Sequence, residues 1–552
     1  MKKSRFVAML LVVMMLFSYC IVANADDSTT YDPFWIEPMA ETVTLDVVIG
    51  WGPDSSLKEG TTPETNALVD VLRDMNIELN MLWTVSDDQF SERLALQLSS
   101  GDIPDVLMLE SQDFYDFLDA DYLRDLSDAY DKWASDELRS TMDGLGADAL
   151  KYASKDGKIY GIPAVLDPAE GVGGLYYRSD WLEALGMEVP TNMDEVNDML
   201  VAFANYGPTV NGDKTTAGLG TTSGVLNNNF ALGIYFQCYG SYPNRWVMRD
   251  GELVNGMLLD ETVDALNGLH YLYENGAIAT DFATWDSDTF VEYLTNDQVG
   301  ATFGTYYIAA WPLNLNKEAN TSAEWAEINL PDLGGNAKPA MNQTSLQFFN
   351  VVTKDAPDNA EEACIKILNV AMASSANSTE NKEFFNGRDL ASNGATAFWL
   401  PVYMYYPTPW ERIRENVWEA YEAKDESLLT TDYARELYGY MDDWLTNGVN
   451  STNLGNAWGQ YKSRLTTDMG IAIGLEARET GYYETNYYYG PTTETESKAS
   501  STLDDLTTEF VIQYILGQKT EADWESFKEQ YNQLGGEQIA KEVNEQYASI
   551  TQ

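Results

Sequence analysis

Residues 43–109 constrain the fold more than any other part of the chain, because strand and helix patterns alternate along them. The predicted strands are Val43–Gly50, Ile77–Leu82 and Val106–Leu109. Amphipathic spacing predicts a helix in each of the two intervals. A β-α-β-α-β order favours parallel strands joined by helical crossovers, so we expect a mainly parallel sheet in an α/β fold.

The length of the chain predicts more than one domain. Its 552 residues exceed what a single hydrophobic core usually organises. Apolar residues make up 44% of the chain, which is typical of a packed globular protein and not of a disordered one. We therefore expect two domains.

The start of the chain has the parts of an export signal. Lys2 and Lys3 give it a positive charge, and the apolar run Phe6–Phe17 is too short to span a membrane. A small-x-small pattern ending at Ala25 predicts cleavage after that residue.

Cys20 leaves lipid anchoring open. A bacterial lipoprotein carries its acylated cysteine directly after a small residue, whereas Tyr19 precedes Cys20 here. We expect an exported protein that is either extracellular or held at the cell surface, with a lipid anchor at Cys20 as the less favoured case.

The charge balance argues against nucleic acid as a partner. The chain has 87 Asp and Glu against 33 Lys and Arg, a net charge of −54. A polyanion would be repelled by such a surface. The acidic residues are scattered along the chain, which is typical of a solubilising surface.

Most residue patterns that carry catalysis are absent from the sequence. His270 is the only histidine, and the sequence has no H-E-x-x-H, G-x-S-x-G, G-x-G-x-x-G or P-loop motif. Beyond the signal, Cys238 and Cys364 exclude a disulfide scaffold but leave one bridge between them open. A glycoside hydrolase survives this exclusion, because it needs only two carboxylates and aromatic sugar platforms.

Two local patterns in the second half add expectations. Thr191 and Asp194 predict a capping box at the start of a helix. The patch Thr492–Thr502 is rich in Ser, Thr and Glu, and it is typical of a surface loop.

Five segments carry a resemblance to a known family. They are Arg93–Leu109 with its Gly-Asp-x-Pro-Asp turn, Gly161–Leu185 with its Tyr-Arg-x-Asp-Trp-Leu helix start, Asn296–Trp311, Lys354–Asn369 and Phe510–Tyr547. In this order they resemble family 1 extracellular solute-binding proteins of ABC transporters, in particular the sugar-associated lipoproteins of Gram-positive bacteria. The resemblance implies a two-lobed periplasmic-binding-protein type II fold with hinge segments, extra C-terminal helices and a ligand cleft between the lobes.

The same resemblance implies a division of the chain into lobes. We expect a signal peptide at 1–25, a tether at 26–42, an N-terminal lobe from 43–165 and 328–372, and a C-terminal lobe from 166–327 and 373–552.

One family feature is missing. Many relatives carry an acidic, glycine-rich Ca²⁺ loop, and the corresponding segment here is Gly207–Leu219. Asp213 is its one carboxylate, whereas Ca²⁺ requires several oxygen ligands. We therefore expect neither a metal nor another cofactor.

Candidate ligand residues come from their place relative to the predicted strands. Ligands of α/β sheets bind beyond the carboxyl ends of strands. Sugars pack their C–H faces on aromatic rings and bond their hydroxyls to carboxylates and amides. The candidates are Trp51, Asp54, Glu110, Gln112, Asp167, Asn228, Trp246, Tyr306, Tyr307, Trp311 and Trp399.

Together these inferences predict the solute-binding receptor of an ABC importer. It would capture a small-molecule ligand, an oligosaccharide or related carbohydrate, and deliver it to permease subunits in the membrane without chemical change. The alternative is a secreted carboxylate-pair glycoside hydrolase.

Overall fold

The computed structural model describes residues 34–51, 62–101, 103–144, 146–212, 214–226, 230–342, 345–375, 400–404 and 410–551. Its strands are β1 (Val43–Trp51), β2 (Ile77–Ser86), β3 (Val106–Leu109), β4 (Ser154–Lys155), β5 (Lys158–Ile159), β6 (Ile162–Leu166), β7 (Gly173–Arg178), β8 (Ala217–Leu219), β9 (Trp246–Arg249), β10 (Glu252–Asn255), β11 (Val299–Thr305), β12 (Trp325–Ile328), β13 (Ala340–Asn342), β14 (Ser345–Val352) and β15 (Glu484–Asn486).

The helices of the described residues, in chain order, are α1 (Ala67–Asp74), α2 (Asp87–Ser99), α3 (Ser111–Asp119), α4 (Ser127–Trp133), α5 (Asp136–Asp143), α6 (Ala147–Tyr152), α7 (Ser179–Leu185), α8 (Met193–Asn211), α9 (Gly233–Gln237), α10 (Glu261–Glu274), α11 (Ser287–Thr295), α12 (Leu313–Ala319), α13 (Ala360–Ser375), α14 (Trp410–Ala423), α15 (Asp432–Asn447), α16 (Leu454–Arg464), α17 (Ile471–Thr480), α18 (Glu496–Ile515), α19 (Trp524–Tyr531) and α20 (Glu537–Thr551). Within these residues, no helix is long and apolar enough to cross a membrane.

The first sheet has the strand order β2-β1-β3-β14-β6, and we call it and its covering helices the first lobe. β1 runs parallel to β2 and β3, which confirms the parallel sheet predicted from residues 43–109. β14 runs antiparallel to both β3 and β6. Leu109 pairs with Phe349 and Leu166 with Ser345, so the carboxyl ends of β1, β3 and β6 meet at one edge.

The second sheet has the order β12-β7-β11-β8, and we call it and its helices the second lobe. β7 is antiparallel to β11 and β12, whereas β8 is parallel to β11. Thr305 pairs with Gly173, so the carboxyl end of β11 lies beside the first residue of β7.

Two connections join the sheets described above. The first leads from β6 to β7 through a 3₁₀ helix, Pro168–Gly171. The second leads from β12 through β13 to β14. Both connections leave the first sheet at the edge where its strands have their carboxyl ends, which confirms the two-lobed α/β architecture.

A helical layer covers both connections. Buried side chains of α14 to α17, among them Trp410, Val417 and Leu437, form one cluster with Ala169 and Met341. Because those last two residues lie in the first and second connections, the layer packs directly on the junction between the lobes.

Two chain segments pack differently from the predicted domain division. The described part of the predicted tether is held to the first lobe, where Phe34 and Met39 are buried and the Met39 amide donates to the Met75 carbonyl at 2.9 Å. Tyr403, predicted for the C-terminal lobe, exchanges two hydrogen bonds with Asn350 of β14 at 2.7 and 2.8 Å. In both cases apolar side chains that lie outside helices and strands pack on the hydrophobic core of the first lobe. The remaining boundaries stay predictions.

The capping box predicted at Thr191 and Asp194 is wrong by one residue. Asn192 is the cap of α8, and its side chain accepts from the Glu195 amide at 3.0 Å. The Glu195 carboxylate accepts in return from the Thr191 amide at 2.8 Å. Asparagine caps a helix as well as threonine does, so the sequence pattern alone could not distinguish Thr191 from Asn192 as the N-cap.

The surface loop predicted at Thr492–Thr502 is also wrong, because α18 begins inside it. The Thr493 amide donates to the Glu496 carboxylate at 3.2 Å, and the Glu496 amide donates to the Thr493 hydroxyl at 3.1 Å. This reciprocal pair starts the helix, and buried Leu503 anchors it.

The two cysteines of the described chain are free and buried. Cys364 packs in the first-lobe core and Cys238 in the second-lobe core, so the bridge left open by the sequence is not formed. Burial raises the pKa of both thiols, which disfavours the reactive thiolate form. His270 likewise has a structural role, with its Nδ1 3.1 Å from the Ile515 carbonyl oxygen.

Candidate ligand-binding cleft

The strand registers place several candidate residues at the junction of the lobes. Trp51 is the last residue of β1, Glu110 follows β3 and Asp167 follows β6, all at the edge from which the connections leave. Tyr306 follows β11, beside the start of β7. Three further candidates, Asp54, Asn228 and Trp399, lie outside the described residues.

The start of α3 forms the first-lobe side of this junction. Glu110 is exposed directly before the helix, and the Ser111 hydroxyl lies 3.2 Å from the Gly490 carbonyl oxygen. The Gln112 amide nitrogen donates to Asp116 at 2.8 Å. Its Oε1 is buried and has no hydrogen-bond partner among the described residues.

The electrostatics of this side are acidic. Asp113 lies in the first turn of α3. Its pKa is raised mainly by burial and, to a smaller extent, by the negative charges of Glu110 and Asp116.

Asp167 is committed to internal contacts. It is buried, its Oδ1 accepts from the Ala169 amide at 2.9 Å, and its Oδ2 forms an ion pair with Arg478. Burial raises the pKa of its carboxyl, and the two partners act against that shift. Since both oxygens have partners, Asp167 is placed to shape the first connection.

Glu170, one turn further along the first connection, meets two aromatic side chains. Its Oε1 accepts from Trp410 Nε1 at 2.8 Å. The Tyr306 ring lies 5.7 Å from the Trp410 ring at an interplanar angle of 61°, and Tyr307 lies 5.9 Å from Tyr306 at 89°. Burial raises the pKa of Glu170, while the bond from Trp410 opposes the shift. A carboxyl among aromatic rings offers both kinds of contact that a sugar needs.

The sequence analysis missed two arginines at this junction. The Arg464 guanidinium lies 5.6 Å from the centre of the Tyr306 ring, and its Nε donates to the Tyr433 hydroxyl at 2.8 Å. Arg478 pairs with Asp167 and with Glu411 of α14. The scarcity of cations in so acidic a chain is the one sequence signal that could have drawn attention to them.

Trp311 stands on a layer of buried aromatic rings. Its side chain is 40% exposed, and its ring lies 5.7 Å from that of Phe230. Phe230 is itself buried and stacks on Phe290 at 4.0 Å. The arrangement presents an indole face on a rigid support.

Trp246 belongs to a different cluster. Its backbone is hydrogen-bonded to residues beside β15, with its amide donating to Asn486 Oδ1 at 2.9 Å and its carbonyl accepting from the Tyr487 amide at 2.9 Å. Its side chain packs with Leu253 and Tyr488. The structure therefore places Trp246 in a cluster that contains neither Tyr306 nor Trp311.

The segment that corresponds to a calcium loop in relatives is organised by an amide. Asn211 Nδ2 donates to the Thr216 hydroxyl at 2.8 Å and to the Asp297 carbonyl at 2.9 Å. Asp213 lies outside the described residues, and those that are described contain no group of three His, Cys, Asp or Glu able to hold a metal.

Calcium is expected to leave the stability of the protein unchanged. The reason is that residues 207–215 supply only one carboxylate, where a hard cation needs several oxygen ligands. Thermal melts with chelator and with excess Ca²⁺ should coincide. A rise in melting temperature with Ca²⁺ that disappears in Asp213→Ala would contradict this expectation.

A protein with two α/β sheets, two connections and aromatic and acidic side chains at their junction has the architecture of a two-lobed binding protein. The chain belongs to the bacterial extracellular solute-binding protein family, whose family model matches residues 73–383, more than half of the chain.

Individual relatives are more distant. The chain is 25% identical to lipoprotein LipO of Bacillus subtilis over 247 residues, which is 44% of this chain and 47% of that protein. It is 24% identical over 295 residues to the polygalacturonan/rhamnogalacturonan-binding protein YtcQ of the same organism, which is 50% of this chain and 55% of that one. The chain thus spans about half the length of the curated relatives it matches.

The fold extends over nearly the whole chain. An HMO-binding, ABC-transporter-associated solute-binding protein from Bifidobacterium longum infantis superposes with a TM-score of 0.61 at 14% identity, covering 92% of this chain and 98% of that one. This similarity confirms the fold expected from the sequence.

Proposed function

We propose that the chain is an exported receptor that captures an oligosaccharide between its lobes and delivers it to the permease of an ABC importer. The observation that carries this proposal is the meeting of Tyr306, Trp410 and the Glu170 carboxyl at the first connection. Family membership supports the carbohydrate class, as do the ligands of two similar proteins, polygalacturonan/rhamnogalacturonan and HMO.

The physical chemistry of the junction fits a carbohydrate better than an apolar ligand. Trp311 offers an exposed indole for sugar C–H groups, and the exposed Glu110 carboxylate offers an acceptor for a hydroxyl. These groups lie on opposite lobes, so a ligand that contacts both favours the closed state over the open one.

A thermal-shift screen tests the ligand class. Purified protein is melted with oligosaccharides, polyols and peptides at equal concentrations. A ligand held only by the folded state raises the melting temperature by mass action, and we expect this for at least one oligosaccharide and for no peptide. Stabilisation by peptides alone would overturn the proposal.

Binding is expected to occur without turnover. The chain belongs to a solute-binding family, and the buried Asp167 carboxylate is held in an ion pair with Arg478. Overnight incubation of the protein with the bound oligosaccharide, followed by chromatography, should return the sugar intact. Catalytic release of shorter sugars, exceeding the amount of protein, would instead establish the glycoside hydrolase.

A further inference from the structure

Residues 470–486, which comprise α17 and β15, contact both connections between the lobes. We call this segment the clasp. It comes from the C-terminal third of the chain and belongs to neither connection, yet its two ends reach one connection each.

The α17 part of the clasp lies directly on the first connection. A Cβ at Gly474 would stand 2.1 Å from the Ala169 carbonyl oxygen, so only glycine permits this approach. One turn later Arg478 pairs with Asp167 of the connection and with Glu411 of α14. Backbone contact and ion pair together fix α17 to the 3₁₀ helix.

The β15 part holds the second connection. β15 pairs in parallel with β13, with Met341 opposite Thr485. The Glu484 amide extends this ladder to the Pro339 carbonyl at 2.8 Å, and the Tyr482 hydroxyl donates to the Ala337 carbonyl at 3.2 Å.

We propose that the clasp couples the two connections and sets how readily the lobes close, with Arg478 as the positioning residue that anchors it. The inference rests on the proposed function, in which the connections act as the hinge. A hinge closes by changes of backbone angle in a few connecting residues. An element bound to both connections opposes or favours their change of backbone angle, so it biases the equilibrium between the open and closed states. Removing Arg478 also leaves Asp167 buried without its cation, which weakens the first connection at once.

Hydrogen–deuterium exchange of the ligand-free protein tests the coupling. In Arg478→Gln we expect amide exchange to rise about tenfold or more in peptides covering 169–174 and 339–342 together, since loss of the anchor releases both ends. Arg478→Lys keeps the charge without the two-pronged geometry, and we expect an intermediate rise. Arg414→Gln is the matched control, because Arg414 lies in the same helical layer and donates to the Arg464 and Thr466 carbonyls at 2.7 and 2.8 Å, which belong to neither connection.

The outcomes separate the clasp from the proposed function. Peptides of β1 and β3 report whether a variant is folded and should exchange as in the unmodified protein. Unchanged exchange in both connections, or a rise confined to the first, would overturn the clasp. Because no sugar is present, this result is independent of the ligand screen. If no oligosaccharide stabilised the protein in the screen, the connections would lose their proposed role as a ligand-driven hinge. The exchange data would still show whether the clasp couples the two connections.

Discussion

Trp311→Ala is expected to weaken binding of the oligosaccharide found in the screen by about tenfold to a hundredfold, while the melting temperature stays nearly constant. The indole is 40% exposed, so its removal leaves no large cavity in the core. What is lost is a flat apolar surface against the sugar, worth about 1–3 kcal/mol of binding free energy. Calorimetric titration of the variant measures this loss.

A buried tryptophan of the same lobe provides the matched control. Trp285 is 2% exposed and packs on Tyr293 with ring centres 4.3 Å apart. Its replacement by Ala should lower the free energy of unfolding by about 3–5 kcal/mol and leave the affinity of the folded fraction unchanged. If Trp311→Ala behaved like this control, with stability lost and affinity kept, the indole would belong to the core and the ligand site would lie elsewhere.

The sequence predicted those parts of the molecule that depend on local periodicity. β3 begins and ends where predicted, and β1 extends one residue beyond its predicted end. Since strand ends in a parallel sheet meet at one edge, the same reasoning selected Glu110, which follows β3, as a candidate. Hydrophobic patterning was sufficient here because the apolar positions of β1 and β3, such as Val47, Ile49 and Val106, are buried.

Contacts between distant segments could not be predicted in this way. Asp167 and Arg478 are 311 positions apart, and Glu170 and Trp410 are 240 apart. No periodicity links such positions, so the ion pair that occupies Asp167 was invisible. Asp167 was chosen for its place in the first connection implied by the family resemblance, and the structure gives its carboxylate internal partners.

The acidic composition explains why the remaining carboxylates were hard to rank. With 87 acidic residues, a position near a strand end distinguishes few of them. Burial distinguishes them much better, because a carboxyl removed from water must find hydrogen bonds or hold its proton. Glu170 and Glu327 meet that criterion.

Glu327 is expected to make the protein less stable as the pH rises from about 4.5 to about 8. Burial raises the pKa of its carboxyl from 4.5 to about 8, although the Gly470 amide at 2.7 Å and the Tyr176 hydroxyl bond to it, and the nearby charge of Asp468 adds to the rise. The folded protein therefore keeps a proton that the unfolded chain releases. Folding then takes up one proton in this range, and the free energy of unfolding falls by up to about 1.4 kcal/mol per pH unit.

Glu327→Gln isolates this contribution. The amide can accept from the Gly470 backbone and donate to the Tyr176 oxygen, so the contacts of the protonated acid are preserved without a titrating group. In denaturant melts between pH 5 and 9, the free energy of unfolding of the variant should increase relative to that of the unmodified protein as the pH rises. Asp167 and Glu170 shift in the same direction, but they are present in both proteins and cancel in the difference. Glu183→Gln, at an exposed position on α7, is the control and should run parallel to the unmodified protein. A Glu327→Gln curve that also ran parallel would show that this carboxyl is ionised in the folded state, and its bond to Gly470 would then be a charged anchor of the clasp.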